Sequence, residues 1–386
     1  MKKIFSKMDK PLLFITIVFF VFGLIMVLSA SSMESYMRYG SSPYYYFYKQ
    51  AIFIFVGSIL FFILIRIPTK VYKGFSYIFM LVILGCLGAL SIYGYAANNA
   101  QSWFQIGPVN VQPSEFAKII SIVFLACYYD KNKNNLDNIW TLVKPIIPVI
   151  IIFGLVAIQP DFGTAIIIAL ISFFMFFALP MSKLCRFKFT SLVFSLVILI
   201  GVVFILTGGS LLKGYQLERF NYREPCLRYQ EDSGYQLCNS FIAFKNGGVT
   251  GQGIGKSTQK YLYLPESYTD FIFPIIVEEW GLLVGVVIIL LYLFVLFRIY
   301  MIARRAINLE GSLLAYGVCI YMFLHIAVNL VGVMGIGPLT GVPLPFLSYG
   351  GSYVVSLMVS LAIVQRVAIE SNNNKKKKSK KKLKEA

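Results

Sequence analysis

The sequence predicts an all-α fold: a polytopic integral membrane bundle of ten transmembrane helices, with one large extracytoplasmic loop between helices 7 and 8. Composition carries the first part of this expectation. Of 386 residues, 58% are hydrophobic and 13% are charged, whereas soluble domains carry about 25% charged residues. Apolar runs recur along the whole chain at close to the ~20 residues a bilayer-spanning helix needs.

The first span, about 11–31, follows Lys2, Lys3, Lys7 and Lys10. LSASS near its end has the look of a cleavage site, but so long an apolar core reads as an uncleaved anchor. YYYFY (Tyr44 to Tyr48) is an aromatic belt at the start of the second span, 49–67, and the third occupies 74–95. The fourth, 113–129, opens with QPSEFAK, and the fifth covers 141–158. The sixth, 161–180, opens with QPDFGTA, and the seventh covers 189–207. A polar, Gly-rich and aromatic loop, about 208–269, leads to the eighth, 270–297. The ninth and tenth, 311–334 and 344–367, are joined by GIGPLTGVPLPFLSYGGS, residues 335–352. Residues 1–370 thus read as one transmembrane domain and 371–386 as a disordered Lys-rich tail.

Charge sets the orientation. About 25 of the 35 Lys and Arg fall at the termini and in the turns after even-numbered spans. The positive-inside rule puts those segments, and both termini, in the cytoplasm of a multi-pass cell-membrane protein. More than a third of the net charge of +18 comes from the tail KKKKSKKKLK, Lys375 to Lys384. With no aromatic or folded module beside it, that tail fits anionic membrane lipid and not nucleic acid.

Cys86, Cys127 and Cys319 lie within spans as small core residues, and Cys185 lies in a cytoplasmic turn. Cys226 and Cys238 share the long outer loop and are either a disulfide or two free thiols. One histidine and no Cys/His cluster argue against a protein-held zinc site. KNGGVTGQGIGKS (Lys245 to Ser257) lacks the P-loop arrangement and faces away from cytoplasmic nucleotides.

Four polar features converge on one outer cavity in this topology: Asp270 at the start of span 8, Glu115 with Lys118 in span 4, Asp161 at the start of span 6, and the 335–352 connection. Glu115 and Lys118 are one helical turn apart and either pair together or touch substrate. Asp161 suits a helix N-cap. Glu278 and Glu279 lie deeper, as a proton relay or a salt bridge, and His325 reads as a satisfied core residue. Asp270 is at the wet end of its helix, after a loop carrying Lys213, Arg219, Arg223, Arg228, Lys245, Lys256 and Lys260. One carboxylate facing a set of cations suits general-base attack on a phosphorylated donor.

The chain resembles the SEDS family of bacterial cell-wall polymerases (shape, elongation, division and sporulation), and its FtsW/SpoVE branch most closely. NLVGVMGIGPLTGVPLPFLSYGGS (Asn329 to Ser352) fits the family signature almost throughout. WFQIGPVNVQPSEFAK, QPDFGTA, GYQLCNSFIAFKNGGVTGQGIGKSTQKYLYLPE and TDFIFPIIVEEWG follow the family's order, over nearly all ten spans.

The resemblance implies an inverting glycosyltransferase that polymerises lipid II at the outer membrane face, for septal wall synthesis. Asp270 would be its general base. Glu115, Lys118, Asp161, Arg219, Lys256, Glu279, Pro343, Ser348, Gly350, Gly351 and Ser352 would be substrate-binding residues. It further implies a divalent cation (magnesium or manganese) at the substrate pyrophosphate, a class B penicillin-binding protein transpeptidase as partner, and the division machinery. Tyr353 after SYGGS, Ser102 before Trp103 and the charged stretch RFNYREPC depart from the family pattern. A lipid II flippase or a non-catalytic scaffold for the transpeptidase are the rival activities. Clustering of polar groups at one face disfavours the flippase, because alternating access needs them reachable from both.

Overall fold

Capping residues set the helix ends that apolar runs leave open. The computed structural model describes residues 2–40, 42–93, 95–97, 100–107, 109–206, 222–230 and 232–385. Helix α1 (Lys10–Tyr39) starts at Asp9, whose carboxylate accepts from Leu12 N at 3.1 Å, and stops at Gly40. α2 (Tyr45–Leu64) and α3 (Tyr72–Tyr93) follow, then α4 (Pro113–Lys131), which has proline in its first turn. α5 (Ile139–Val143) and α6 (Ile146–Ile158) together cover the fifth apolar run. α7 (Phe162–Phe177) is capped by Asp161, and α8 (Lys183–Leu206) ends where the long loop begins. After α9 (Asp232–Gly247) come α10 (Ile272–Arg304), α11 (Leu309–Val333) and α12 (Gly351–Glu385).

Seven described helices are long and apolar enough to cross a membrane, including α1, α2, α10, α11 and α12. The most apolar windows of α11 and α12 are 61% and 78% buried inside the protein, against 17% for α2. α11 and α12 therefore form the centre, and α2 turns outward with Phe55 and Ile52 exposed. An apolar outer surface of this kind is matched to lipid.

The fold is mostly helical, as expected, with one small sheet added. β1 (Tyr95–Ala97), β2 (Ala100–Ile106) and β3 (Val109–Val111) form an antiparallel sheet in the order β1-β2-β3 between α3 and α4. Ile106 pairs with Val109 across a tight turn at Gly107, whose φ is +60°. Strands of three to seven residues leave too short a pattern to stand out between two spans, and the Gly107-Pro108 dipeptide is their one clear signal. The long loop also holds structure. It contains the 3₁₀ turn Pro225–Arg228 and the four-turn helix α9, joined by a Cys226–Cys238 disulfide. Leu237, Ser240, Ala243 and Gly247 of α9 are buried at helical spacing, a periodicity obscured by the glycines around it. Helix α12 continues through the lysine-rich stretch to Glu385, where the sequence predicts a disordered tail. Lysine is a good helix former, which suits that continuation.

Helix α10 is interrupted at Gly281, whose φ of +84° breaks the hydrogen-bond ladder. Residues 248–253 fill the break. Gln252 N and Gly253 N donate to Glu278 O and Glu279 O, both at 2.9 Å, while Leu282 N and Leu283 N donate to Gly248 O and Val249 O at 3.0 and 3.3 Å. Glycine is required where the two backbones cross. A Cβ on Gly281 would stand 2.3 Å from Val249 O, and one on Gly251 would stand 2.4 Å from Glu279 O.

The Glu278 and Glu279 side chains hold the same loop. Glu278 accepts from Asn246 Nδ2, Ser257 Oγ, Thr258 N and Oγ1, and Gln259 N. Glu279 accepts from Lys260 Nζ at 2.8 Å and Ser29 Oγ at 2.6 Å. Of the relay and the salt bridge, the geometry gives Glu279 the salt bridge, buried with Lys260, and Glu279 is not among the residues that line the cavity described below.

Candidate active site

A cavity of about 760 Å³ opens where the β2–β3 hairpin, the starts of α4, α7 and α9, the segment before α10 and the connection between α11 and α12 meet. Glu115, Asp161, Asp270, Pro343, Gly350, Gly351 and Ser352 all line it. These residues lie as far apart in sequence as 115 and 352, and the fold brings them to one wall-bounded space.

Asp270 sits two residues ahead of α10. Its carboxylate lies against the backbone at Gly341 (φ +68°), where a Cβ would be 3.3 Å from Asp270 Oδ2. Gly341 therefore keeps room beside the acid. Asn329 Nδ2 donates to Asp270 O and to Val342 O, each at 2.8 Å, so α11 fastens the acid's backbone to the 339–350 connection. Ser348 is fully buried behind this layer, where its Oγ donates to Thr269 O at 2.5 Å and accepts from Leu344 N at 2.8 Å. Tyr268 packs on Tyr46, and burial, reinforced by the Tyr46 hydrogen bond, holds its phenol far above the ordinary range and so neutral.

On the opposite side, Asp161 Oδ1 caps α7 through Thr164 N at 3.2 Å, and its Oδ2 accepts from Gln112 Nε2 at 2.9 Å. Gln112 N donates to Ser352 Oγ at 2.9 Å, tying the start of α4 to the start of α12. Lys118 is fully buried behind Glu115. Its Nζ donates to Glu115 Oε1 at 2.8 Å and contacts His325 Nε2 at 2.9 Å. His325 Nδ1 lies 3.2 Å from Pro343 O, an atom that only accepts. The ring proton therefore resides on Nδ1, and Nε2 accepts from the Lys118 ammonium.

Five carboxylates, Glu115, Asp161, Asp232, Glu266 and Asp270, line the cavity, with Lys49 as the cation among the described lining residues. A polar space of this charge receives hydroxyls, amides and cations readily, and receives an anion only with its charge balanced.

The family model described as cell cycle protein (FtsW/RodA/SpoVE) matches residues 10–373. The chain belongs to this family. It is 39% identical over 379 residues to a Bacillus subtilis protein named "Probable peptidoglycan glycosyltransferase FtsW", covering 96% of this chain and 92% of that one. It is 32% identical over 367 residues to the stage V sporulation protein E of Bacillus subtilis, covering 93% and 96%. Among solved structures, a chain of a peptidoglycan synthase complex described for its coordination of polymerization and crosslinking superposes with a TM-score of 0.73. Its identity is 25%, with 94% of this chain and 98% of that chain covered. The Thermus thermophilus rod shape determining protein RodA shares the fold at a TM-score of 0.65 and 22% identity, covering 94% and 97%.

In this FtsW/RodA/SpoVE member one of the remaining expected residues lies elsewhere. Lys256 is exposed on the loop after α9 and does not line the cavity. Arg219 falls outside the described residues, as does Lys213. Sequence reasoning missed Gln112, Asp232, Glu266 and Asn329. Only Asn329 carries a clear signal, as a hydrogen-bonding amide in an apolar helix at the first position of the quoted signature.

Proposed function

We propose that this chain is an inverting peptidoglycan glycosyltransferase that polymerises lipid II into glycan strands at the outer face of the cytoplasmic membrane, in septal wall synthesis. The observation that carries the reading is Asp270. Its carboxylate lines a polar cavity of about 760 Å³ in a chain 39% identical to a named glycosyltransferase. Asp270 takes the proton from the 4-hydroxyl of an acceptor N-acetylglucosamine while that oxygen bonds to the anomeric carbon of the donor. The bond from that carbon to undecaprenyl pyrophosphate breaks in the same displacement, which inverts the centre. One base suffices because pyrophosphate leaves as a stable anion and needs charge balance more than a proton.

Lys49 and the loop cations, Arg219 among them, supply part of that balance. Magnesium or manganese bound to the pyrophosphate would supply the rest. The donor set fits such an ion in part. Carboxylate oxygens suit it, yet no three potential ligands gather closely enough among the described residues to hold a metal unaided. Asp232 or Glu266 would hold it together with phosphate oxygens.

Ten crossings follow if α4, α7 and α8 span the membrane alongside the seven longer or more apolar segments. Positive charge at the termini and even-numbered turns supports cytoplasmic termini. The Cys226–Cys238 disulfide supports an outer, oxidising location for α9. The proposed partner is a class B penicillin-binding protein within the division machinery, a reading supported by the likeness to a chain of a peptidoglycan synthase complex that coordinates polymerization and crosslinking.

The test is lipid II polymerisation by the purified protein with its transpeptidase, wild type against Asp270→Asn. Polymer from the wild type, with a loss of about 10²–10⁴-fold in a folded mutant, is expected of a general base. Equal polymer from both removes Asp270 from the chemistry. No polymer from either, with the complex verified, favours a scaffold or a flippase.

A further inference from the structure

Three consecutive carbonyls lead into the reacting acid, and each has its own donor from outside the segment. Tyr268 O accepts from Tyr349 N at 2.9 Å, Thr269 O from Ser348 Oγ at 2.5 Å, and Asp270 O from Asn329 Nδ2 at 2.8 Å. Asn329, reaching in from α11, grips two segments at once, because the same amide also donates to Val342 O at 2.8 Å. Its orientation is fixed. Two carbonyl oxygens face the amide, and only its NH₂ end can satisfy them. His325, one helical turn earlier on the same face of α11, holds the neighbouring Pro343 O. The connection that α11 holds in this way passes at Gly341 against the Asp270 carboxylate.

We infer that Asn329 is a positioning residue for the glycosyl transfer. Its two amide hydrogens fix the Asp270 backbone and the Gly341–Val342 backbone in one register, and so place the carboxylate against the attacking hydroxyl. The inference rests on the proposed function. A reacting carboxylate displaced by about 1 Å forfeits roughly 10²-fold in rate, so such a tether acts on turnover and not on affinity.

The test measures kcat and KM for lipid II with the full-length protein and its transpeptidase in detergent, for wild type, Asn329→Ala, Asn329→Asp and Ser348→Ala. Thermal unfolding and complex recovery are followed on each. Asn329→Asp keeps the shape and replaces both donors with acceptors. Both Asn329 variants are expected to lose about 10–100-fold in kcat, with KM within about threefold of wild type. Ser348→Ala is expected to lose kcat by a smaller factor, since the other two tethers remain. A kcat within threefold of wild type in a folded Asn329 variant overturns the inference. So does a rise in KM at unchanged kcat, which would make Asn329 a substrate contact. If neither Asn329 variant folds, Ser348→Ala decides, and an unchanged kcat there overturns the tethering scheme. A wild type that makes no polymer instead counts against the proposed function itself.

Discussion

Replacing Glu279 separates a structural acid from a substrate-binding one. Glu279→Gln leaves the Lys260 ammonium buried, with Ser29 Oγ and Gly255 O as its remaining contacts at 2.9 and 2.7 Å. Breaking one side of a buried pair costs about 3–5 kcal/mol, because the other charge is left uncompensated. The two surviving contacts put this case near the lower end, about 3 kcal/mol. Lys260→Met on the Glu279→Gln background removes the orphaned charge and is expected to restore about 2 kcal/mol, since apolar replacement of a whole pair is often near neutral. At roughly 2 °C per kcal/mol, the single variant melts about 6 °C below wild type and the double variant about 2 °C below it. The assay is apparent melting in detergent for the four members of the double-mutant cycle, with lipid II polymerisation run in parallel. Polymerisation by the double variant within about threefold of wild type is expected, because the pair lies outside the cavity. Additive losses of stability, or a folded double variant without activity, would refute the reasoning.

Three further outcomes follow from the same geometry. Gly281→Ala drives a methyl into Val249 O at the helix break, and a loss of about 3 kcal/mol or more is expected as a lower yield of folded protein and a depressed melting point. Lys118→Met leaves Glu115 Oε1 and His325 Nε2 without their shared donor, and this is expected to cost about 3–5 kcal/mol. The Glu115→Gln/Lys118→Met pair should recover part of it, read by the same melting assay. In intact cells, thiol labelling at Cys226 and Cys238 is expected only after reduction, and a reductant that does not cross the membrane should suffice. Labelling without reduction would contradict the bond, and a need for a permeant reductant would contradict the outer location.

The sequence made the membrane architecture legible because bilayer thickness imposes a length that apolar runs must meet. Asp270, Glu115, Asp161 and the 343–352 stretch were legible as a cavity because each breaks that apolar rule near the same end of a span. The hairpin at 95–111 was not, since its strands are shorter than any usable period. Helix α9 was masked by the glycines that follow it. The partner of Glu279 was hidden for a different reason: Lys260 lies 19 positions earlier, beyond any helical spacing, and only folding the 248–260 segment onto α10 brings the charges together. Asn329 looked like one polar residue in a signature, because its two acceptors, at 270 and 342, come from different parts of the chain.

The break in α10 ties the helix to the loop before it. Glu278 O, Glu279 O, Leu282 N and Leu283 N are paired with residues 248–253. In hydrocarbon, each such group left unsatisfied costs several kcal/mol. The break in α10 and the fold of residues 248–253 are therefore interdependent: a change that keeps this loop from folding back would leave backbone groups of the helix unmet in the membrane, a few residues beyond Asp270.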